Sequence, residues 1–369
     1  MRRSAIFPQK YIQGEGVLSD ISSVIRPLGC KKPMLVWGKR TRAAVNGIVL
    51  SSLAKDDLTF IEWNFSGECT KEESSAIEDE IRKSGCDIVV GFGGGKCLDV
   101  AKGAAAHLGM RVIACPTVCS CDAPTSACSV WYDKEGVCVG FDLWPTNPDA
   151  VIVDTGIMVT APEAMLKAGI GDALATYIEA RASNNAHATT CASGTPTMSV
   201  MALSKLCFDT LFDTAETALI AVKAGVVTPA FERLVEACTL LSGIGWESGG
   251  LTTAHQLGNN LSSFPEAHRH MHGEKVCFGL ITQLTLDPDI KTEELYMVVD
   301  FMVRLGLPVT LSDISMGDVS KERIMEFCVA NTGAGSFSAN HCFPVTAKDL
   351  YNAMLAADAF GSARKAAIR

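Results

Sequence analysis

The sequence DIVVGFGGGKCLDVAK, residues 87–102, decides the fold. Its apolar first half predicts a buried strand, three glycines follow, and a helical pattern then begins. In such a turn, backbone N–H groups and the positive end of a helix converge where a ligand can approach the chain closely. The segment therefore indicates a parallel α/β sheet with a pyrophosphate-binding turn, formed by Gly93, Gly94, Gly95 and Lys96.

The glycine turn does not match the two commonest phosphate motifs. Lys96 stands where G-x-G-x-x-G requires its last glycine, and Val90 and Cys97 do not fit the G-x-x-x-x-G-K-[ST] of a P-loop. A kinase or ATPase is therefore disfavoured. The alternative is a turn whose glycines only pack the helix against the sheet, with Asp99 and Lys102 as a dipole-complementing acid and a weak pair three residues apart.

The elements around this segment predict two kinds of domain. Further strands are expected at residues 34–37, 112–115 and 151–154, and a helix at 72–84 separates the first of these from the strand at 88–92. Thr160 is expected to cap a helix with Glu163 in its first turn. Helical spacing then dominates residues 198–211, 230–242, 252–261, 276–284, 294–305, 321–331 and 347–360. We expect an α/β domain over residues 1–158 and an all-helical domain over 159–369, with a cleft beside the joint.

Composition excludes several classes of protein. The chain has 369 residues, a net charge of −9 and no apolar run near the ~20 residues of a membrane helix, so neither nucleic acid nor a membrane is an expected partner. Fifteen cysteines, an odd number without a Cys-x-x-Cys pair, favour a reducing compartment. The first residues lack the apolar stretch of a secretory signal, and we expect a cytoplasmic protein.

Four ordered segments resemble the signature motifs of the glycerol dehydrogenases, the zinc-using branch of the iron-containing alcohol dehydrogenase superfamily. The segments are GGGKxxDxAK at 93–102, DAPTSA at 122–127, AGIGDALAT at 168–176 and HGEKV at 272–276. The resemblance runs nearly end to end. It implies a Rossmann-like N-terminal domain, a helical C-terminal domain and an active site in the cleft between them.

The resemblance implies that Asp172, His255 and His272 bind a divalent metal. Two imidazoles and one carboxylate leave a fourth position open, which suits zinc acting as a Lewis acid on a substrate oxygen. Iron-using relatives carry a second histidine where this chain has Thr176, so zinc is expected over iron. By the residues alone the triad is weakly supported, because no H-x-x-x-H spacing connects its members.

Two departures from the family pattern accompany the metal residues. Members often carry a histidine where this chain has Gly258, so a proton relay through that side chain is lost. His268 and His270 alternate with His272, but the resemblance places only His272 at the metal. The other two histidines are expected at the rim of the cleft or in solvent.

The resemblance also implies the residues that contact the cofactor and the substrate. Asp122 is expected to accept from the hydroxyl next to the reacting one, although a plain turn is the alternative for Asp122-Ala123-Pro124. The resemblance assigns cofactor contacts to Asp99 of the glycine motif and to five further residues: Thr117, Ser120, Ser126, Cys128 and Tyr132.

A basic cluster follows the first expected strand. NAD-using members carry an aspartate where this chain has Lys39, and an acid there accepts from the ribose 2′-OH and repels a 2′-phosphate. Lys39, Arg40 and Arg42 instead attract a phosphate, which favours NADP(H). The alternative is a solvated basic cluster with NAD held by other contacts.

These observations predict a reversible metal-dependent polyol dehydrogenase. Its reaction is hydride transfer between glycerol, or a related vicinal diol, and NAD(P), with dihydroxyacetone as the product. Two alternatives stay open: an enzyme for a phosphorylated substrate resembling glycerol-1-phosphate dehydrogenase, and a catalytically silent scaffold. Family members commonly assemble as octamers, and we expect a homo-octamer here.

Overall fold

A computed structural model describes residues 2–368 of the chain. Its strands are β1 (Tyr11–Gly14), β2 (Pro33–Trp37), β3 (Ile61–Asn64), β4 (Ile88–Gly93), β5 (Arg111–Pro116), β6 (Cys128–Tyr132), β7 (Cys138–Leu143) and β8 (Ala150–Asp154). Six of them form a parallel sheet in the order β1-β8-β5-β4-β2-β3, and β6 and β7 form an antiparallel pair.

The helices fall between and after these strands. The α-helices are α1 (Ile21–Ile25), α2 (Thr41–Lys55), α3 (Lys71–Ser84), α4 (Gly95–His107), α5 (Thr155–Met158), α6 (Glu163–Asn185), α7 (Met198–Ala224), α8 (Pro229–Glu236), α9 (Ser242–Gly249), α10 (Thr253–Asn260), α11 (His272–Leu286), α12 (Thr292–Leu305), α13 (Lys321–Ala330) and α14 (Ala347–Ile368). Within residues 2–368, no helix combines the length and apolar character that crossing a bilayer requires.

The parallel sheet is buried on both faces, which explains its uninterrupted apolar strands. Alternate residues of β2 point to opposite sides. Leu35 and Trp37 pack against α1 and α2, whereas Met34 and Val36 pack against α3 and α4. The ring of Trp37 stacks on Phe92 of the adjacent β4 with centroids 4.4 Å apart.

The chain divides into two compact units. One comprises Ile6–Leu166 with Thr217–Gly243 and contains the parallel sheet. The other comprises Met1–Ala5, Lys167–Glu216 and Ile244–Arg369. The expected fold class is confirmed, since a parallel sheet lies in the first part of the chain and helices dominate the remainder. The domain boundaries expected from the sequence, 1–158 and 159–369, stay a prediction.

Local signals explain where elements begin and end. The hydroxyl of Thr70 accepts from the Glu73 amide at 3.1 Å and starts α3, and Gly85 ends it with φ of 70°. The expected cap at Thr160 is wrong. Its hydroxyl instead donates back to the Ile157 carbonyl at 2.7 Å, and α6 begins only at Glu163.

A buried ion pair fastens α4 to the segment after β5. Lys102 and Asp99 are 2% and 7% exposed, and their charged atoms are 2.8 Å apart. Lys102 also donates to the Ala123 carbonyl at 2.7 Å and to the Ser126 hydroxyl at 3.1 Å, while Asp99 accepts from the Val130 amide at 3.1 Å. The expectation of a weak pair is wrong, because both charges are removed from water and tied to neighbouring backbone.

We predict that Lys102→Met lowers the free energy of unfolding by about 3–5 kcal/mol, since it leaves the Asp99 carboxylate buried and uncompensated. Chemical denaturation measures this loss. The matched control is Lys83→Met, which removes an exposed pair with Glu80 at 3.5 Å and costs less than about 1 kcal/mol. Adding Asp99→Asn to Lys102→Met restores part of the stability. Equal losses in the two single variants contradict the assignment.

Candidate metal centre and nucleotide-binding turn

Three helices of one unit bring Asp172, His255 and His272 together. Asp172 lies on α6, His255 in the first turn of α10, and His272 is the first residue of α11. Their ligand atoms all lie within 4.8 Å of one another. Oδ1 of Asp172 is 3.3 Å from Nε2 of His255 and 3.2 Å from Nε2 of His272. The three residues, of which Asp172 and His255 are 83 positions apart in sequence, thus form one cluster in space.

The Asp172 carboxylate has the environment of a cation ligand. Its side chain is 1% exposed, yet neither oxygen has a partner with hydrogen-bond geometry in the described chain. Burial acts to raise the pKa of Asp172, but the imidazoles of His272 and His255 more than offset this and hold the pKa below its usual range. An ionised, buried carboxylate facing two imidazole nitrogens fits a divalent ion with N and O ligands, such as zinc.

Glycines let the three ligand-bearing helices approach one another closely. A Cβ on Gly273 of α11 would lie 1.8 Å from the Ala168 carbonyl oxygen of α6. Between α10 and α11, a Cβ on Gly279 would lie 2.4 Å from the Ala254 carbonyl oxygen, and one on Gly258 would lie 2.4 Å from Val276. Gly258 therefore occupies a helix contact, and the histidine that the resemblance led us to consider at this position does not fit without moving α11.

His268 and His270 lie outside the cluster of ligand atoms. They belong to the turn before α11, so the three alternating histidines do not share the face of a strand. Nε2 of His270 is 2.9 Å from the Ser315 hydroxyl, which also accepts from Arg269 at 2.8 Å. Thr176, at the position of the iron ligand in relatives, is fully buried and packs on Gly245.

In the sheet-containing unit, the glycine turn lies at the point where strand order reverses. The chain passes from β2 outward to β3 and returns to β4 on the other side of β2, after which β5 follows β4. Open α/β sheets bind ligands at the carboxyl ends of the strands at such a point. Gly38 after β2 and Gly93 at the end of β4 are adjacent there, since a Cβ on Gly38 would lie 3.3 Å from the Gly93 Cα.

The geometry of the glycine turn fits both interpretations of the sequence, close packing of the helix on the sheet and the binding of an anion. Close packing requires glycine at two positions, because a Cβ on Gly93 or Gly95 would lie 2.8 Å from Cys97 or Cys121. Gly94, Gly95 and Lys96 are also partly exposed at the start of α4, where the first amides of a helix have no partner within it. The arrangement therefore suits an anion as well as the packing of helix on sheet.

Lys96 is positioned by two residues from other elements. Its ammonium group is 2.5 Å from the Glu68 carboxylate and 4.4 Å from the centre of the Tyr132 ring. Burial raises the pKa of Tyr132 well above its usual value, so its ring is neutral. Glu68 was not identified from the sequence, because it lies 28 residues before its partner in an irregular segment without a motif.

The basic cluster after β2 is only partly free. Lys39 and Arg40 are exposed. The guanidinium group of Arg42 instead donates to Glu62 at 2.6 Å and to Asn64 at 3.4 Å, both on β3. Two of the three bases therefore place solvent-accessible positive charges in the segment that follows the carboxyl end of β2.

The remaining assigned residues occupy different environments. The hydroxyl groups of Thr117 and Thr41 form a hydrogen bond of 3.1 Å. Ser120 is partly exposed. Ser126 and Cys128 are 1% and 2% exposed, and the Ser126 hydroxyl accepts from Lys102. These roles toward a cofactor stay predictions.

Asp122 is buried and held by a residue that sequence reasoning missed. Its Oδ2 accepts from the Ser242 hydroxyl at 2.9 Å, across 120 residues of chain. Thr125 donates to the Thr239 carbonyl at 3.0 Å, within the π-helical turn at Ala237–Leu241 that precedes α9. The turn at Asp122 is therefore held against a second segment of the same unit. A plain turn in solvent would have no such contact.

Comparison with known proteins identifies the family. The model of the iron-containing alcohol dehydrogenases matches residues 8–155. A glycerol dehydrogenase of Escherichia coli O6:H1 is 41% identical over 358 residues, covering 96% of each chain. The chain belongs to the iron-containing alcohol dehydrogenase family. The resemblance to glycerol dehydrogenases noted in the motifs is confirmed.

Two further proteins are similar to this chain over nearly its full length. A glycolaldehyde reductase of Halobacterium salinarum is 38% identical over 358 residues, with 96% of each chain covered. The crystal structure of a probable glycerol dehydrogenase from Sinorhizobium meliloti 1021 superposes with a TM-score of 0.92 at 36% identity, covering 98% of this chain and all of that one. The family fold therefore extends over both units of the chain.

We predict that Asp172→Asn weakens zinc binding by more than the ~10–100-fold that loss of a supporting partner costs, since it removes the anionic ligand. Competition with a chromophoric chelator measures the affinity, with one zinc per chain expected for the unaltered protein. The control is His270→Gln. The His270 side chain bonds to Ser315 and lies outside the cluster of ligand atoms, so this variant is expected to bind zinc with unchanged affinity. Equal affinities of the Asp172 variant and the unaltered protein exclude the triad.

Proposed function

We propose that the protein is a zinc-dependent polyol dehydrogenase that interconverts glycerol, or a related vicinal diol, and its hydroxyketone. One observation carries the proposal: Asp172, His255 and His272 converge on a buried point in a chain that is similar to glycerol dehydrogenases along 96% of its length. A silent scaffold has no need of a buried carboxylate aligned with two imidazoles. We infer a cytoplasmic homo-octamer as its working form.

The residues of the metal centre bind and orient. His255 and His272 would hold the ion through Nε2 and Asp172 through its carboxylate, and three protein ligands leave a position for a substrate oxygen. When bound, zinc supplies Lewis acidity toward that oxygen, and the nicotinamide ring supplies the hydride acceptor or donor. Zinc is favoured over iron because Thr176 offers no imidazole.

Asp122 and the glycine turn supply the other contacts. The Asp122 carboxylate, which Ser242 holds in place, is proposed to accept from the substrate's neighbouring hydroxyl. The first amides of α4, from Gly95 and Lys96, are proposed to bind the pyrophosphate of the cofactor. Both contacts orient a bound molecule, which lowers the entropy that the reaction must lose.

A phosphorylated substrate is disfavoured because residues 251–261, the stretch around the metal ligand His255, contain no Lys or Arg. Of the two bases nearest in sequence to His272, Lys275 is 7% exposed and Arg269 donates to the Ser315 hydroxyl. An anionic substrate needs cations free to meet it. The similarity to a glycolaldehyde reductase instead supports small uncharged hydroxycarbonyls as substrates for the reductive direction.

We predict that the zinc-loaded protein oxidises glycerol and reduces dihydroxyacetone, and that a chelator abolishes both activities. Turnover is measured by the steady-state absorbance of the reduced nicotinamide, with glycolaldehyde and a phosphorylated glycerol assayed in parallel. Readdition of zinc must restore turnover. Turnover confined to the phosphorylated compound overturns the polyol assignment.

We further propose NADP(H) as the preferred cofactor, because Lys39 and Arg40 stay exposed at the carboxyl end of β2. Lys39→Asp is expected to shift the ratio of kcat/KM for NADP over NAD toward NAD by at least about tenfold, through the loss of one charge-assisted contact of ~1.5–3 kcal/mol. Lys55→Asp, at the exposed opposite end of α2, is the matched control and leaves the ratio unchanged. A preference for NAD in the unaltered protein contradicts the proposal.

A further inference from the structure

A second buried carboxylate lies behind the metal centre. Glu179 is on α6, seven residues after Asp172, and is fully buried. Residues seven apart on a helix lie on the same face, so both carboxylates point from α6 toward α10. Oε2 of Glu179 contacts Nδ1 of His255, while the other nitrogen of that ring, Nε2, faces Asp172.

Glu179 also accepts from the backbone that carries His255. Its Oε1 accepts from the amide of Thr252 at 2.8 Å and from the amide of His255 at 3.0 Å. These are amides at the start of α10, which have no acceptor within the helix. One side chain therefore fixes the ring of His255 and the turn of helix from which the ring projects.

A second side chain, the amide of Gln283, adds to this support at the start of α10. Oε1 of Gln283, on α11, accepts from the Ala254 amide at 2.9 Å and from the Thr252 hydroxyl at 2.7 Å. Glu179 and Gln283 thus share the amides at the start of α10. Only Glu179 contacts the imidazole ring.

The two histidines of the centre are supported unequally. His255 has 6% of its side chain exposed and is bonded through Nδ1. His272 has 31% of its side chain exposed, and within residues 2–368 its Nδ1 makes no comparable bond to a carboxylate. The ring of His255 thus has a carboxylate at each of its nitrogens, whereas the ring of His272 meets Asp172 through Nε2 and is more exposed.

We propose that Glu179 is a positioning residue that keeps the proton of His255 on Nδ1 and the lone pair of Nε2 directed at the metal. His255 and Asp172 then form a preformed pair, and His272 completes the site. This inference rests on the proposed metal centre and adds a residue to it. Nothing in the proposed reaction requires Glu179 to touch substrate or cofactor.

Replacement of Glu179 by glutamine tests the proton's location, because an amide has one donor end. If the NH2 group faces the amides of Thr252 and His255, donors oppose donors. If it faces the ring, Nδ1 must accept and the proton moves to Nε2, the nitrogen that binds metal. Either orientation opposes metal binding, although the side chain keeps its size.

The experiment measures zinc affinity of the full-length protein by chelator competition, with thermal unfolding of each metal-free variant alongside. Glu179→Gln is expected to weaken zinc binding about 10–100-fold. The control Gln283→Met removes hydrogen bonds from the same helix start without touching the ring, so it lowers the unfolding temperature and changes zinc affinity less than about threefold. Equal weakening in both variants, or none in Glu179→Gln, overturns the proposal.

A measurement on the unaltered protein covers the case in which Glu179→Gln does not fold. With zinc bound and histidine labelled with ¹⁵N, His255 is expected to show a protected Nδ1 proton shifted downfield by its bond to a carboxylate. Zinc bound at Nδ1, or a rapidly exchanging Nδ1 proton, overturns the proposal. These readouts do not require turnover. A protein that binds zinc without dehydrogenase activity therefore contradicts the function alone, and one that binds no zinc contradicts the metal centre.

Discussion

The helical unit is organised around a negative charge that water does not reach. Asp172 and Glu179 are both buried on one face of α6, and the ring of His255 lies between them. Buried carboxylates are costly unless a cation or hydrogen-bond donors compensate them. Glu179 has its donors in the start of α10, whereas the groups that face Asp172 at 3.2–3.3 Å are imidazole nitrogens. A divalent ion at the proposed centre would balance this buried charge.

In the sheet-containing unit, by contrast, positive electrostatic potential is concentrated at the glycine turn. The first amides of α4 and the exposed charges of Lys39 and Arg40 lie where the strand order reverses. Glu68 and Tyr132 fix the position of the Lys96 ammonium group, and the Glu68 carboxylate balances its charge. Further along α4, the buried pair of Asp99 and Lys102 ties the helix to the segment that carries Asp122. The turn proposed to bind the cofactor and the ion pair that holds the helix in place thus follow one another along α4.

Much of this was predictable from the sequence, and the exceptions have physical causes. The strands at 88–92 and 151–154 were found because buried parallel strands are continuously apolar. The edge strands β1 and β3 were missed because each has four residues, is only partly buried and includes polar residues. The metal triad needed the family resemblance, because its members come from three helices. Glu179 had a signal in its seven-residue spacing from Asp172, but Ser242 and Glu68 reach their partners only through the tertiary fold. The buried state of Lys102 was missed because a pair three residues apart is normally solvated.

The glycine contacts among α6, α10 and α11 fix how far apart the three ligand-bearing turns lie. Where Gly273 meets Ala168 and Gly279 meets Ala254, backbone lies against backbone with no side chain between. Repacking of side chains cannot widen the spacing of these turns, because none is present to repack. Any adjustment to a bound ion would therefore fall to the side-chain torsions of Asp172, His255 and His272 and not to the helices that carry them.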